Sequence, residues 1–435
     1  MPLIPTAAPE VRRRALRASI VIVVGILATT LAQTEVLARL PLQNLLKNSL
    51  HVDRTANAAF FFWAGLAWYM KPIAGLLTDA FPILGTRRKS YILLGTLLAA
   101  SSWLALIFTP HTYDWLLLAA IIINAFMVVT STAVGGYMVE AAQAVAGSGR
   151  LTAVRQFVQR ACLILNGPAS GYLAGVAFGW TAAACGGVML LLVPVTVLYL
   201  QEQRRSVPSR EVIQGAREQL RTIARARTMW GAAGLMALFY IAPGFGTALF
   251  YKQQNELHFT TQAQGFLQLI SGISGVAAAT AYAYLCQRTS LRSLLVWSVI
   301  AATIVNLGYL HYATYTDAQF VEGLNGFGFT LAELALMDLA VRATPPGCEG
   351  LGFALMVSVR NFALFGTDWF GARLLDHFQI SFASLVLANS LTTLVAAPLV
   401  ALLPWRLVGP KDGEGWRRTA EPGASETTGA AVRGR

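Results

Sequence analysis

Charge is scarce in this chain. Asp, Glu, Lys and Arg make up 12% of its 435 residues while 55% are hydrophobic, against a charged share of about 25% in soluble domains. Cysteine and histidine are scarcer, at four and five residues. Cys162, Cys185, Cys286 and Cys348 stand in separate segments without metal-ligand spacing, so inert buried thiols are expected rather than a metal site or disulfides. His51, His111, His258, His311 and His377 fall in loops or at segment ends, away from any nucleophile or ligand cluster, which argues against an intramembrane enzyme. No G-x-x-x-x-G-K-[ST] sequence occurs, so direct ATP drive is not expected and no cofactor is implied. Alternating strand-like segments are missing too, which disfavours a membrane barrel.

What the chain does have is apolar runs along almost its whole length. Many reach about 20 residues, enough for a helix to cross ~30 Å of hydrocarbon. Twelve spans are expected, at 16–38, 55–82, 90–109, 114–140, 151–176 and 179–201, then 229–251, 262–286, 291–311, 318–342, 348–375 and 380–404. The first follows Arg12, Arg13, Arg14 and Arg17 as a signal peptide would, but it runs on to Ala38 and is read as an uncleaved helix. The fold class is therefore an all-α membrane protein built as two six-helix bundles. The N-terminal bundle takes 1–201 and the C-terminal bundle 229–408. A basic linker occupies 202–228, and a Gly-, Ala-, Thr- and Glu-rich tail, expected to be disordered, takes 409–435.

The net charge of +12 comes from arginines in turns and tails, the pattern of a positive-inside bias rather than of nucleic-acid binding. The N-terminal arginines, Arg87–Lys89, Arg150, the seven arginines of 202–228, Arg288, Arg292 and Arg342 share one side, which is assigned to the cytoplasm with both termini. Arg39, Lys47 and Arg54, placed in the first outer loop, are the exception. A monomer in a bacterial inner membrane is expected, with lipid and protons as its other partners. Val212–Arg227 reads as an amphipathic linker helix whose arginines suit an anionic leaflet or simply fix topology.

A few charges sit inside the apolar runs, where they are expensive and point to a solute or proton path. Lys71, Arg160 and Arg360 are candidates to hold an anionic solute, since an arginine fork fits a carboxylate or a planar anion. The competing reading for each is a structural ion pair. Arg160 and Arg360 lie at matching depth in spans five and eleven, where Gly149–Arg160 and Gly350–Arg360 weakly repeat each other. Glu333 and Glu35 are candidate proton carriers, with ion pairing or an interfacial position as their alternatives. Asp79, Arg87, Arg88, Glu140 and Asp338 are candidates for a cytoplasmic gate, and Arg155 is nearer a gate than a binding site. Asn166-Gly-Pro168 and Pro243-Gly-Phe-Gly246 are expected to interrupt spans five and seven. Phe60–Trp63, Trp68 and Tyr69 can stack on a planar ring, although packing is the plainer role.

Gly75-x-x-x-Asp79 with Gly85-x-Arg87-Arg88-Lys89 resembles the loop 2–3 signature of the major facilitator superfamily. The wider run Lys71-Pro72-x-x-Gly75-x-x-x-Asp79-x-x-Pro82-Ile83-x-Gly85-x-Arg87-Arg88-x-x-Tyr91 resembles the folate-biopterin transporter family within it. So does Pro345-Pro346-x-Cys348-Glu349-Gly350, followed by Phe353-Ala354-Leu355 and Asn361. The resemblance implies a major facilitator fold, alternating access, a folate or pterin as cargo, and Asn361 among the binding residues. Members of the family carry two aspartates late in the fourth helix, whereas this chain reads Thr130-Ser-Thr-Ala-Val-Gly-Gly-Tyr-Met-Val-Glu140. That departure leaves open a permease for muropeptides, peptides, sugars or drug-like compounds.

Overall fold

The computed structural model describes residues 9–145, 148–200, 202 and 210–411. The tail beyond 411, the side chains of Arg12, Arg13, Arg14, Arg150 and Arg155, and those of Val212 and Ile213 lie outside the described residues. Among the described residues the fold is helical, and one isolated bridge between Ile83 and Thr86 closes a turn.

Among the described residues, seven helices are long and apolar enough to cross a membrane: Tyr113–Met138, Phe178–Tyr199, Thr261–Leu285, Leu291–His311, Tyr315–Ala343, Gly350–His377 and Phe382–Leu402. The other expected spans are short, broken or charged. Lys89–Ala105 is one short helix, and Ser148–Ala174 carries Arg150, Arg155 and Arg160. The second span divides into Arg54–Ala64, Leu66–Tyr69 and Lys71–Ala80. The seventh divides into Arg227–Tyr240 and Gly246–Asn255, with the interruption at Pro243-Gly-Phe as expected.

Two expectations about breaks need correction. Asn166-Gly-Pro168 does not interrupt its helix, because Ser148–Ala174 runs through Pro168. The first span, expected to be continuous to Ala38, ends as a helix at Leu31 and resumes as Arg39–Asn44 and Leu45–Ser49. Arg39, read as an outer-loop cation, therefore opens a helix inside the fold.

The first and seventh segments share local geometry. The resumed helices begin at Arg39 and at Gly246. The turns that follow place His51 and His258 at φ 51° and 52°. Asp53 and Thr260 then cap the next helices by accepting from Ala56 N (2.7 Å) and Ala263 N (3.2 Å). All three pairs keep one constant separation along the chain, the mark of an internal repeat.

Apolar side chains gather into two large buried clusters. One draws on residues from Ala18 to Leu200 and includes Ile22, Trp103 and Met127. The other draws on residues from Ile223 to Val408 and includes Met236, Leu336 and Val400. Where Ser148–Ala174 of the first set meets Thr261–Leu285 of the second, the contact rests on glycines. A methyl group added to Gly167 would lie 2.5 Å from Gly265 O, and one added to Gly171 would lie 2.8 Å from Thr261 O. In lipid, helices associate through such close backbone packing rather than through a hydrophobic force. The linker contains a helix, Arg210–Arg225, that buries Ile223 and leaves Leu220 exposed.

Candidate functional site

Arg39 is one of two arginines at which the two sets of helices meet in charge among the described residues, the other being Arg54. The break after Leu31 turns the chain so that Arg39 Nη1 lies 3.1 Å from Glu35 Oε2, one turn away. Its Nη2 lies 3.8 Å from Asp368 Oδ2, on the helix Glu349–His377 of the other set. Asp368 is fixed in turn by Thr247, whose backbone N–H donates at 3.0 Å and whose hydroxyl donates at 2.7 Å. This is the N-terminus of the resumed seventh helix, a place that favours a carboxylate. Glu35 Oε1 is buried and has no hydrogen-bond partner among the described residues. Sequence reasoning named Glu35 and missed Asp368, which sits in an aromatic stretch, Phe365-Gly-Thr-Asp-Trp-Phe, with no motif around it.

Two cavities adjoin Arg39. One, of about 220 Å³, is lined by Tyr240, Phe329, Asn306, Asn325, Asn389 and Asp368. The other, of about 150 Å³, is lined by Gln43, Gln253, Gln264, Gln268 and Glu322. A third cavity, of about 110 Å³, lies within the first set of helices. There Lys71 sits with Gln33, Trp68 and Gln159, its Nζ 5.2 Å from the Trp68 ring centre. Lys71 thus faces a polar space.

The two candidate arginines differ. The Arg360 guanidinium is hydrogen-bonded to Glu333, to the Tyr240 hydroxyl at 3.3 Å and to Asn361 Oδ1 at 2.9 Å. Glu333, Arg360 and Asn361 are thereby one cluster. Arg160 stands where the two sets of helices touch, with its Nη1 3.7 Å from the position a methyl group on Gly275 would take. Among the described residues, hydrogen bonds and ion pairs give it no named partner.

The gate candidates fall into two groups. Arg88 is buried and binds Asp79 at 2.5 Å and Glu140 at 2.9 Å, with Arg87 3.6 Å from Asp79. Its guanidinium occupies space that a side chain at Gly136 would fill. The helix that begins at Lys89 is capped by Glu202, which accepts from the backbone N–H groups of Arg87, Arg88 and Lys89 at 2.7–3.0 Å. Glu202 was not anticipated; nothing in its local sequence marks it. Asp338, grouped with these residues on sequence grounds, instead binds Arg342 one turn along its own helix, at 2.9 and 3.0 Å, and accepts from Tyr282 at 3.2 Å. Arg342 also reaches Pro410 O at 2.6 Å.

At the opposite end, the two sets of helices are bonded to each other. Asp376 accepts from Arg54 Nε (2.8 Å), Thr55 N (3.0 Å) and the Thr55 hydroxyl (2.8 Å). Gln254 donates to Asn44 at 3.1 Å. Phe62 and Tyr69 pack on Phe362, and Phe62 and Trp63 on Trp369, so these aromatics join the helices rather than line a cavity.

A family model described as the BT1 family matches residues 33–421. The folate-biopterin transporter of Synechocystis sp. is 24% identical over 397 residues, covering 85% of this chain and 78% of that protein. Folate transporter 1 of Plasmodium falciparum is 22% identical over 357 residues, covering 78% of this chain and 69% of that one. Among solved structures, a D-xylose-proton symporter superposes with a TM-score of 0.67 at 14% identity, over 92% of this chain and 98% of that chain. At that identity the likeness speaks to the fold, which is of the major facilitator type. The chain is a multi-pass membrane transporter for a small molecule, and it belongs to the BT1 family, as its likeness to folate-biopterin transporters also indicates.

Proposed function

We propose that this protein is a secondary active transporter for a folate, a pterin or a similar anionic solute, working by alternating access and coupled to protons. The observation that carries this reading is Arg39, bonded to Glu35 on its own side and facing Asp368 across the interface. Alternating access needs contacts between halves that break and re-form, and an ion pair at the interface is one such contact. The names of the relatives supply the solute class.

The same reading takes the chain as twelve spans in two bundles, 1–201 and 229–408, joined by a cytoplasmic linker. The repeated geometry at Arg39 and Gly246 supports the division, as do the two separate buried clusters. The interrupted first, second and seventh segments account for spans that fall short of a continuous apolar helix. Both termini are placed in the cytoplasm of a bacterial inner membrane, and the working unit is a monomer. The bonds from Arg54 and Thr55 to Asp376 then close the outer side. The Arg88 and Arg342 clusters, each bonded within its own half, belong to an inner side that is open.

Coupling follows from charge. Glu35 and Glu333 each neutralise an arginine, and an anionic group on the solute would take over that arginine through the same two-pronged contact. A carboxylate displaced into an apolar surround is costly as an anion and cheaper protonated. Each carboxylate so displaced binds one proton, and solute and proton move together. Lys71, Arg160 and Arg360 with Asn361 complete the solute path. Purified protein in proteoliposomes should accumulate labelled folate when the outside is made acidic. Accumulation that ignores the gradient removes proton coupling, and no uptake of folate or pterin removes the cargo.

A further inference from the structure

The cavity on the far side of Arg39 is polar beyond what packing needs. Gln264 is 3% exposed, yet its Nε2 has no hydrogen-bond partner among the described residues. Gln43 is also buried. Gln268 Oε1 has only long contacts, 3.4 Å to Asn166 and 3.4 Å to Ser170. Buried amides are costly unless they are bonded. Glu322 faces the same cavity and is held in place by a relay, in which Gln253 donates to the Tyr312 hydroxyl at 2.7 Å and that hydroxyl donates to Glu322 at 3.3 Å. The Tyr309 hydroxyl bonds to Glu322 as well, and since a carboxylate offers about four acceptor sites, these two contacts leave acceptor capacity toward the cavity.

The volume matters. At about 150 Å³ the cavity holds far more than one water or one bare cation, since one water needs only roughly 10–15 Å³. It is open to both halves of the molecule, because Arg39 and Gln43 come from the first and Gln253, Gln264 and Glu322 from the second. A solute there would touch both sides of the moving interface.

We infer that this cavity is the subsite for a flat heterocycle that presents adjacent N–H donors beside an acceptor, the edge found on a 2-amino-4-oxo pyrimidine ring. Glu322 accepts from the paired donors, and Gln264 Nε2 donates to the ring oxygen or nitrogen. Arg39 marks the boundary with the larger cavity, where the anionic tail lies. This assignment rests on the transport reading above and goes further by saying which residues read the ring. Glu322 is then a specificity-determining residue, and Tyr312 and Gln253 are positioning residues.

The test is equilibrium binding to the full-length protein in nanodiscs with three probes: folic acid, pterin without the tail, and p-aminobenzoylglutamate without the ring. Glu322→Gln should weaken folic acid and pterin by about ten-fold, the loss expected when one of two paired ring donors is left without its acceptor. It should leave p-aminobenzoylglutamate unchanged. Gln264→Met, close to Gln in volume, should weaken the same two probes and is the second readout if Glu322→Gln fails to fold. Equal weakening of all three probes, or no change in any, would overturn the subsite while leaving folate transport standing. A wild-type protein that binds none of the three overturns both readings, whereas one that binds folic acid and the tail but is indifferent to the ring overturns only this one.

Discussion

Arg39 and Asp368, at 3.8 Å, join two helices that belong to different halves of the chain, and Glu35 holds the same guanidinium from the other side at 3.1 Å. Both carboxylates are largely buried, with side chains 10% and 11% exposed, and Arg39 is 28% exposed. Removing one member of a buried pair leaves an uncompensated charge, a loss of about 3–5 kcal/mol where burial is complete and less here. Arg39→Gln should lower the melting temperature and abolish concentrative uptake. Arg39→Gln combined with Asp368→Asn should recover part of the stability and none of the uptake. Thermal unfolding and proteoliposome flux on the same preparations separate the two effects.

Asp376 should act as an outer latch. Its bonds to Arg54 and Thr55 are partly exposed, so Asp376→Asn should cost about 1 kcal/mol. That is roughly a five-fold shift in population toward a state open at that end. Labelling of a cysteine introduced near Thr55 by a membrane-impermeant reagent should speed up by a similar factor. An unchanged rate would show that other contacts keep that end closed.

The two central arginines should respond in opposite ways. Arg360 is locked to Glu333, Tyr240 and Asn361, so Arg360→Gln strands Glu333 and should destabilise the protein as well as stop transport. Arg160 has no comparable lock, so Arg160→Gln should fold at nearly wild-type stability and raise the KM for an anionic solute by about ten-fold. Melting curves and uptake kinetics on both variants check this contrast.

Gly265 lies against Gly167 and Gly171 where the fifth and eighth segments touch. Gly265→Val would drive a side chain into backbone atoms that cannot move aside, so the two halves must part. Uptake should fall by at least about ten-fold while each half keeps its own buried core. A variant with normal uptake would mean that these helices separate without cost during transport.

The membrane class, the basic turn at Arg87–Lys89 and the family were legible because each depends on local composition or on a run of contiguous residues. The linker helix was legible from its spacing of apolar residues, although its boundaries in the structure are Arg210–Arg225. What could not be read were relationships set by tertiary packing. Nothing local distinguishes Arg39 from an outer-loop cation, because the break at residues 32–38 contains neither proline nor glycine. Asp338 and Glu140 look alike in sequence, yet Arg342 claims one and Arg88 the other. Pro168 reads as a breaker, but in a packed membrane helix the freed backbone group can be satisfied by neighbours. Glu322 and Gln264 carried no signal at all, since a single glutamate or glutamine becomes informative only when a cavity is found beside it.

The central claim is that Arg39 couples solute to proton movement between two halves. The most direct measurement is labelled folate uptake into proteoliposomes under an imposed inward proton gradient, comparing wild type with Arg39→Gln. The account predicts concentrative uptake by wild type that collapses when the gradient is dissipated, and only background uptake by the variant. Gradient-driven folate uptake by Arg39→Gln at the wild-type rate would contradict it.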